Sequence, residues 1–159
     1  MARRYGRAPT PERLVAHVPH GHWKTTTFIA ALRLGDVTAP MVADGPINGE
    51  LFLKYIVEFL CPILRPGDIV IMDNLSSHKV AGVREAIEAV GAELRYLPPY
   101  SPDFNPIELY FSTFKSALRT LAERTVDALW NAIGKIYDAV NPVHCNNFFY
   151  KAGYNVRKL

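Results

Sequence analysis

The sequence predicts an α/β domain, a mixed sheet flanked by helices. Three observations lead there. Strand-length runs rich in Thr, Val, Ile and Phe fill the first third of the chain. A wholly apolar run, Ile-Val-Ile-Met (69–72), stands between turn signals. From residue 48 onward, helical periodicity alternates with short strand-like runs, the pattern of a sheet covered by helices. With 159 residues, 49% hydrophobic and 21% charged, the chain suits one domain with its own core, residues 1–159.

The elements follow in order. Gly6, Pro9 and Pro11 make the first dozen residues an irregular arm. Residues 14–18 alternate weakly and read as a strand, and Pro19-His20-Gly21-His22 reads as a turn. Residues 23–34 predict a second strand, antiparallel to the first. Gly35-Asp36 is a hairpin signal and residues 37–43 a third strand. Asn48 can cap a helix whose apolar positions Leu51, Phe52, Tyr55, Ile56, Phe59 and Leu60 keep helical spacing. Arg65-Pro66-Gly67-Asp68 stops it. The run 69–72 lacks alternation, as a buried central strand does, and ends on Asp73. A helix over 79–90 is closed by Gly91, and 93–97 is another strand. Pro98-Pro99-Tyr100-Ser101-Pro102 excludes regular structure. A long helix follows from Pro106, and another runs from 125 to about 140. The tail, 142–159, carries Phe148, Phe149, Tyr150 and Tyr154 and is expected to dock on the domain. This order is that of a ribonuclease H-like fold whose first long strand lies upstream, a fold-level analogy of limited weight for function.

Composition removes several function classes. Cys61 and Cys145 are far apart and have no CxxC partner, so neither a disulfide framework nor a zinc ribbon is expected, and a reducing cytosol fits. Cys61 reads as a small core residue. No apolar run approaches membrane-spanning length, and no signal peptide follows the basic start. Net charge is only +3, but it is unevenly spread. Before Gly35 stand Arg3, Arg4, Arg7, Arg13, Lys24 and Arg33 against the single acid Glu12. That suits a polyanionic partner, and a solvated strand edge reads equally well. His17, His20 and His22 cluster, but without a nearby Cys or acidic ligand they read as a surface hairpin.

Asp73 closes the most apolar strand, at the end where open α/β sheets place ligands. Taken alone, Asp73-Asn74 is equally a turn leading into a helix. Glu108 falls in the first turn of the long helix, where a carboxylate also serves the helix dipole. Lys115 lies two turns on along the same face, where it can reach a phosphate near Glu108 or simply be solvated. The pair carries more than either member. Two-metal phosphodiester cleavage needs carboxylates converging from different elements, and magnesium takes oxygen ligands.

Ile-Val-Ile-Met-Asp-Asn-Leu-Ser-Ser-His (69–78) followed by Leu-Pro-Pro-Tyr-Ser-Pro-Asp-Phe-Asn-Pro-Ile-Glu (97–108) resembles the signature of DDE transposases of the mariner superfamily. The resemblance is greatest to the bacterial insertion-sequence branch, the IS-six-thirty group. Residues 74–107, 34 in all, separate Asp73 from Glu108, the spacing of that branch. The resemblance implies that Asp73 and Glu108 are the second and third metal-binding carboxylates. It implies supporting roles for Asn74 and His78 beside the metals and for Asn105 in the Asn-Pro-Ile-Glu element. It suggests DNA contacts for Lys115 and Arg119, and for Arg4 and Arg7 in the arm. Tyr110 and Phe111 stand where relatives often carry Trp.

What the resemblance implies overall is a metal-dependent transposase domain using two Mg²⁺ or Mn²⁺ ions. Its partners would be transposon ends and target DNA, in a self-associating protein of the bacterial cytoplasm and nucleoid. The family's first carboxylate belongs to a strand upstream of the arm, so the chain is expected to begin after it and to lack the helix-turn-helix domain. Asp36 and Asp44 sit in loop contexts and do not read as substitutes. The alternative is an inactive fragment that binds DNA or dimerises.

Overall fold

The computed structural model of the chain describes residues 9–11, 13, 15 and 24–155. Apart from Val15, the strand and turn read at 14–22 lie outside them, as do the arm residues Arg4 and Arg7 and the histidines 17, 20 and 22. Strand β1 (Thr26–Arg33) pairs antiparallel with β2 (Asp36–Asp44). The turn is Leu34-Gly35, one residue earlier than predicted. Asp36 opens β2, and its carboxylate accepts from the Val37 N–H (2.8 Å).

A bulge controls which way β2 faces. Ile29 pairs with Met41 and Ala31 with Thr38, so Ala39 and Pro40 stand opposite the single residue Ala30. Ala39 takes a left-handed φ of 50°. The extra residue inverts the alternation. Val37 packs in one core and Met41 in the other, although they are four residues apart.

Asn48 caps α1 (Gly49–Tyr55) by accepting from the Leu51 N–H (2.8 Å). Pro62 then disturbs the helix, since its ring excludes the normal bond to a carbonyl four residues back. The chain widens into a π turn over Ile56–Leu60 and tightens into a 3-10 turn over Cys61–Ile63. Strand β3 (Ile69–Met72) pairs parallel with β4 (Glu93–Tyr96). Between them, a 3-10 turn (Ser76–Lys79) precedes α2 (Val83–Ala89). The predicted helix from 79 starts late because Val80 is extended, ending the 3-10 segment, and Gly82, at φ 93°, then caps α2. The Gly82 N–H donates to Glu85 (2.9 Å). After the 3-10 turn Pro102–Phe104, three helices complete the chain: α3 (Pro106–Leu121), α4 (Val126–Asp138) and α5 (Pro142–Lys151).

Two cores lie on opposite faces of the β1–β2 hairpin. One joins Met41 to Phe52, Tyr55, Ile56 and Leu60 of the first helical segment and to Met72, Val83, Ile87 and Leu94. The other joins Ala30 and Val37 to Tyr110, Phe114 and Leu118 of α3, Ala132 and Ile133 of α4 and Cys145 of α5. Phe28 stacks on Phe114 (4.6 Å between centroids). Cys61 packs against the first core, as its apolar setting predicts, but only in part. Cys145 is fully buried, whereas Cys61 is half-buried at a helix end, bonded to the Ala86 carbonyl (3.4 Å).

The mixed character of the sheet holds, but its parts are not joined. Among the described residues, β1–β2 and β3–β4 form two separate two-stranded sheets. Nor is β3 the buried strand its composition predicts. Val70 and Met72 face the first core, while Ile69 and Ile71 are 50% and 37% exposed on the other side. The expected apolar run is present.

Candidate active site

The unjoined sheets leave a cleft of about 690 Å³. Its walls are Phe28–Leu34 of β1 and its turn, Ile69–Met72 of β3 with Asp73, and residues of α1, α3 and the end of α5. Arg33, the last residue of β1, is ion-paired with Asp68, just before β3. Strand β1 thus ends where β3 begins, and the two run in opposite directions along the cleft. The Arg65 backbone N–H and then the Arg33 guanidinium hold the Asp68 carboxyl below the ordinary carboxylate value.

Backbone hydrogen bonding fixes what β3 offers to the cleft. The carbonyls of Asp68 and Met72 accept from the N–H groups of Glu93 and Leu97, each at 2.8 Å. A parallel strand turns alternate residues to alternate neighbours. Ile69 and Ile71 therefore direct their amides and carbonyls away from β4, into the cleft. The Tyr55 side chain is also part of the wall, and its buried hydroxyl has no hydrogen-bond partner. Burial pushes that hydroxyl's pKa upward.

Asp73 and Glu108 both line this cleft, and both also line a second, adjoining one of about 390 Å³. Asp73 is placed there by ending β3. One of its oxygens accepts from the Leu75 N–H (3.2 Å), so the turn reading of Asp73 is realised together with its exposure to the cleft. The same oxygen lies 2.6 Å from Nδ1 of His78, which makes no hydrogen bond of acceptable geometry and so holds only a close polar contact. The His78 ring stacks on Phe52 (4.3 Å), and the Tyr96 hydroxyl donates to the His78 carbonyl (2.8 Å). Helical spacing marks Phe52 only as a core residue. Its contact with His78 is visible only in the fold.

Glu108 is placed by the start of α3. Pro106 occupies the first turn, and the Glu108 N–H donates to the Asn105 carbonyl (3.1 Å). The Glu108 carboxylate is exposed, with no hydrogen-bond or ion-pair partner among the described residues. Asn105 is the only buried polar residue among them. It precedes α3 without a side-chain cap and borders both clefts. Asn74 lines the second cleft, and its buried Oδ1 has no partner. Lys115 borders the first cleft; Arg119, one turn on, borders neither.

These donors are carboxylate and amide oxygens, which suit magnesium or manganese. The Asn74 Oδ1 is an orphaned buried acceptor beside them. Among the described residues no group of three or more His, Cys, Asp or Glu could hold a metal ion. Asp36 and Asp44 border neither cleft.

An α/β domain that brings a strand-end carboxylate and a helix-start carboxylate to one cleft has the frame of a metal-dependent nuclease. A family model described as DDE superfamily endonuclease matches residues 1–129, and the chain belongs to that family. Solved structures agree on the fold. A Mos1 transposase paired-end complex with left transposon end superposes with a TM-score of 0.75 at 17% identity, over 96% of this chain and 47% of that one. A Mos1 mariner paired-end complex with Mn gives 0.76 at 17%, over 96% and 48%. The Mos1 transposase catalytic domain with Raltegravir and Mg gives 0.57 at 16%, over 84% of each. The chain spans about half the length of the Mos1 complexes it matches. No curated protein matches it. The ribonuclease H-like expectation thus holds at the level of the fold. Among the described residues, no helix is long and apolar enough to cross a membrane.

Proposed function

We propose that this chain supplies the DNA-cutting and strand-transfer domain of a mariner-superfamily transposase of the bacterial IS-six-thirty type. The observation that carries the reading is that Asp73 and Glu108 line the same two clefts, with residues 74–107 between them. Family membership and the mariner-like fold support it. Asp73 and Glu108 hold the metal ions. Asn74 and Asn105 offer amide groups beside them, and His78, seated on Phe52, orients Asp73. Lys115 takes a DNA phosphate, with Arg119, Arg4 and Arg7 as further backbone contacts. When bound, two magnesium or manganese ions supply polarisation of the phosphodiester and a more acidic water. In the hydrolysis, the oxygen of water bonds to phosphorus as the bond to the 3′ oxygen breaks, and that oxygen takes a proton. The freed 3′-hydroxyl attacks target DNA in the same way, losing its proton as the new bond forms.

The third carboxylate comes, in this reading, from a strand seated in the cleft between β1 and β3. Such a strand runs antiparallel to β1 and parallel to β3, so its carboxyl end lies beside Asp73. The outward-turned backbone of Ile69 and Ile71, their bare side chains and the orphan Tyr55 hydroxyl favour this occupant. A second reading, in which the 159 residues alone bind DNA or self-associate without cutting, draws on the lack of a third metal-ligating group beside the pair among the described residues. Cleavage of DNA carrying the element's ends, with magnesium or manganese, separates the two. The 159-residue chain is expected to be inactive or very weak. A polypeptide extended by an acid-bearing strand is expected to cut, and to lose cutting on Asp73→Ala or Glu108→Ala. Robust cleavage by the 159-residue chain would sink the strand proposal, and an inactive extended form would leave only the binding reading.

A further inference from the structure

Tyr100 is the most exposed large hydrophobic residue among those described, at 102% of its reference area. No aromatic ring packs on it there. It also holds a left-handed φ of 57°, a conformation side chains with a Cβ avoid. An aromatic residue that is both bare and strained persists only where its surroundings enforce it. Here they do. Pro98, Pro99 and Pro102 restrict the loop from both sides. The Ser101 hydroxyl donates to the Pro99 carbonyl (3.3 Å). From the end of α5, the Tyr154 hydroxyl donates to the Phe104 carbonyl (3.0 Å) and ties down the far side of the loop. The loop is therefore built to hold a ring in the open.

The position of that ring narrows what it meets. Residues 97–102 form one wall of the cleft whose other wall carries Asp73, Asn74 and Glu108. Leu75, also exposed, adds apolar surface to the same cleft. A flat apolar face beside carboxylates assigned to phosphodiester chemistry suits a nucleobase that has left its stack. Base–aromatic stacking is tolerant of sequence and needs an open face of this kind.

We propose that Tyr100 is a stacking platform for an unpaired base beside the phosphodiester held at Asp73 and Glu108. The inference rests on the DNA-cutting reading and adds a DNA-contact residue that the carboxylate signature does not assign. It predicts a preference for DNA with unpaired nucleotides at the end over blunt duplex. The ring, not the hydroxyl, carries the effect, so Phe substitutes for Tyr.

The test is equilibrium binding of the full chain to end-frayed and blunt duplexes carrying 2-aminopurine near the end, in the presence of Ca²⁺. Tyr100→Gly relieves the strained φ and keeps the fold, as a thermal melt checks. It is expected to lose about tenfold in affinity for the frayed duplex and little for the blunt one. Tyr100→Phe is expected to bind both as the unaltered chain does and to quench 2-aminopurine equally. Equal affinity of Tyr100→Gly and the unaltered chain for frayed DNA overturns the stacking role and leaves the DNA-cutting reading intact. An equal loss on both duplexes also overturns it. If the unaltered chain binds neither DNA, the DNA reading fails and this inference with it.

Discussion

Strands β1 and β3 border the same cleft, yet β1 is packed on both faces and β3 on only one. Along β1, Phe28, Ala30 and Leu32 alternate with Ile29 and Ala31, and each set meets its own core. Along β3, Val70 and Met72 meet a core while Ile69 and Ile71 face the cleft. An isoleucine is normally placed where it can be buried. The difference shows that, among the described residues, one face of β3 carries no core.

The largest effect should come from the packed side. Phe114 is buried at the junction of β1 and α3, stacked on Phe28. Phe114→Ala should cost about 3–5 kcal/mol, read as a fall in the urea midpoint at unchanged slope. A loss below about 1 kcal/mol would show that the second core is not close-packed. The β3–β4 half is firm where its turn is concerned. Gly91 takes φ 80°, and a Cβ there would stand 3.1 Å from Pro66. Gly91→Ala should cost about 1–2 kcal/mol by the same measurement.

By contrast, Ile71→Ala should cost less than about 1 kcal/mol in the 159-residue chain, because the side chain is partly in water already. If a strand seats in the cleft, the same substitution should cost distinctly more in the extended polypeptide. Equal costs in both would break the comparison. Bare strand edges also invite pairing between copies. The double substitution Ile69→Lys, Ile71→Lys should therefore shift the chain toward monomer in sedimentation. No change in the distribution would mean that self-association, if present, uses another surface.

The smallest effect belongs to the bridge between the halves. Asp68→Asn removes the partner of Arg33 and should cost about 0.5–1 kcal/mol, since both groups are partly exposed. The sign of its pH dependence follows from the lowered folded-state value. The Asp68 contribution is fully present above the unfolded value of about 3.9 and is lost as pH falls through the lower folded value. The stability difference between variant and parent should be present at neutral pH and vanish in strong acid. A difference that grew on acidification would contradict the ion-pair account.

Much of this was legible from local patterns. Asn48, Thr125 and Pro106 announced helix starts because capping and first-turn chemistry act within three residues. Asp73 and Glu108 were legible because a strand end and a helix start are also local events. The late start of α2 was missed, since Lys79 to Gly82 look helical in sequence, although Val80 is extended and Gly82 left-handed. The inversion of β2 at Ala39 was invisible because no special residue type marks it. The exposure of Ile69 and Ile71 could not be read from the strand itself, because an unbroken apolar run predicts burial on both faces. Similarly, Phe52 supports His78 through a contact that no spacing in the sequence encodes.

We propose that the cleft between β1 and β3 takes an acid-bearing strand that joins the two sheets and adds a carboxylate beside Asp73 and Glu108. Amide hydrogen exchange at Ile69 and Ile71 tests it most directly, since those N–H groups face the cleft and not β4. In the 159-residue chain they should exchange much faster than the Glu93 and Leu97 amides, which are bonded to β3. In the polypeptide extended by the strand they should become as protected as those two, in step with the appearance of DNA cleavage. Protection already complete in the 159-residue chain, or cleavage gained while Ile69 and Ile71 stay unprotected, would contradict the account.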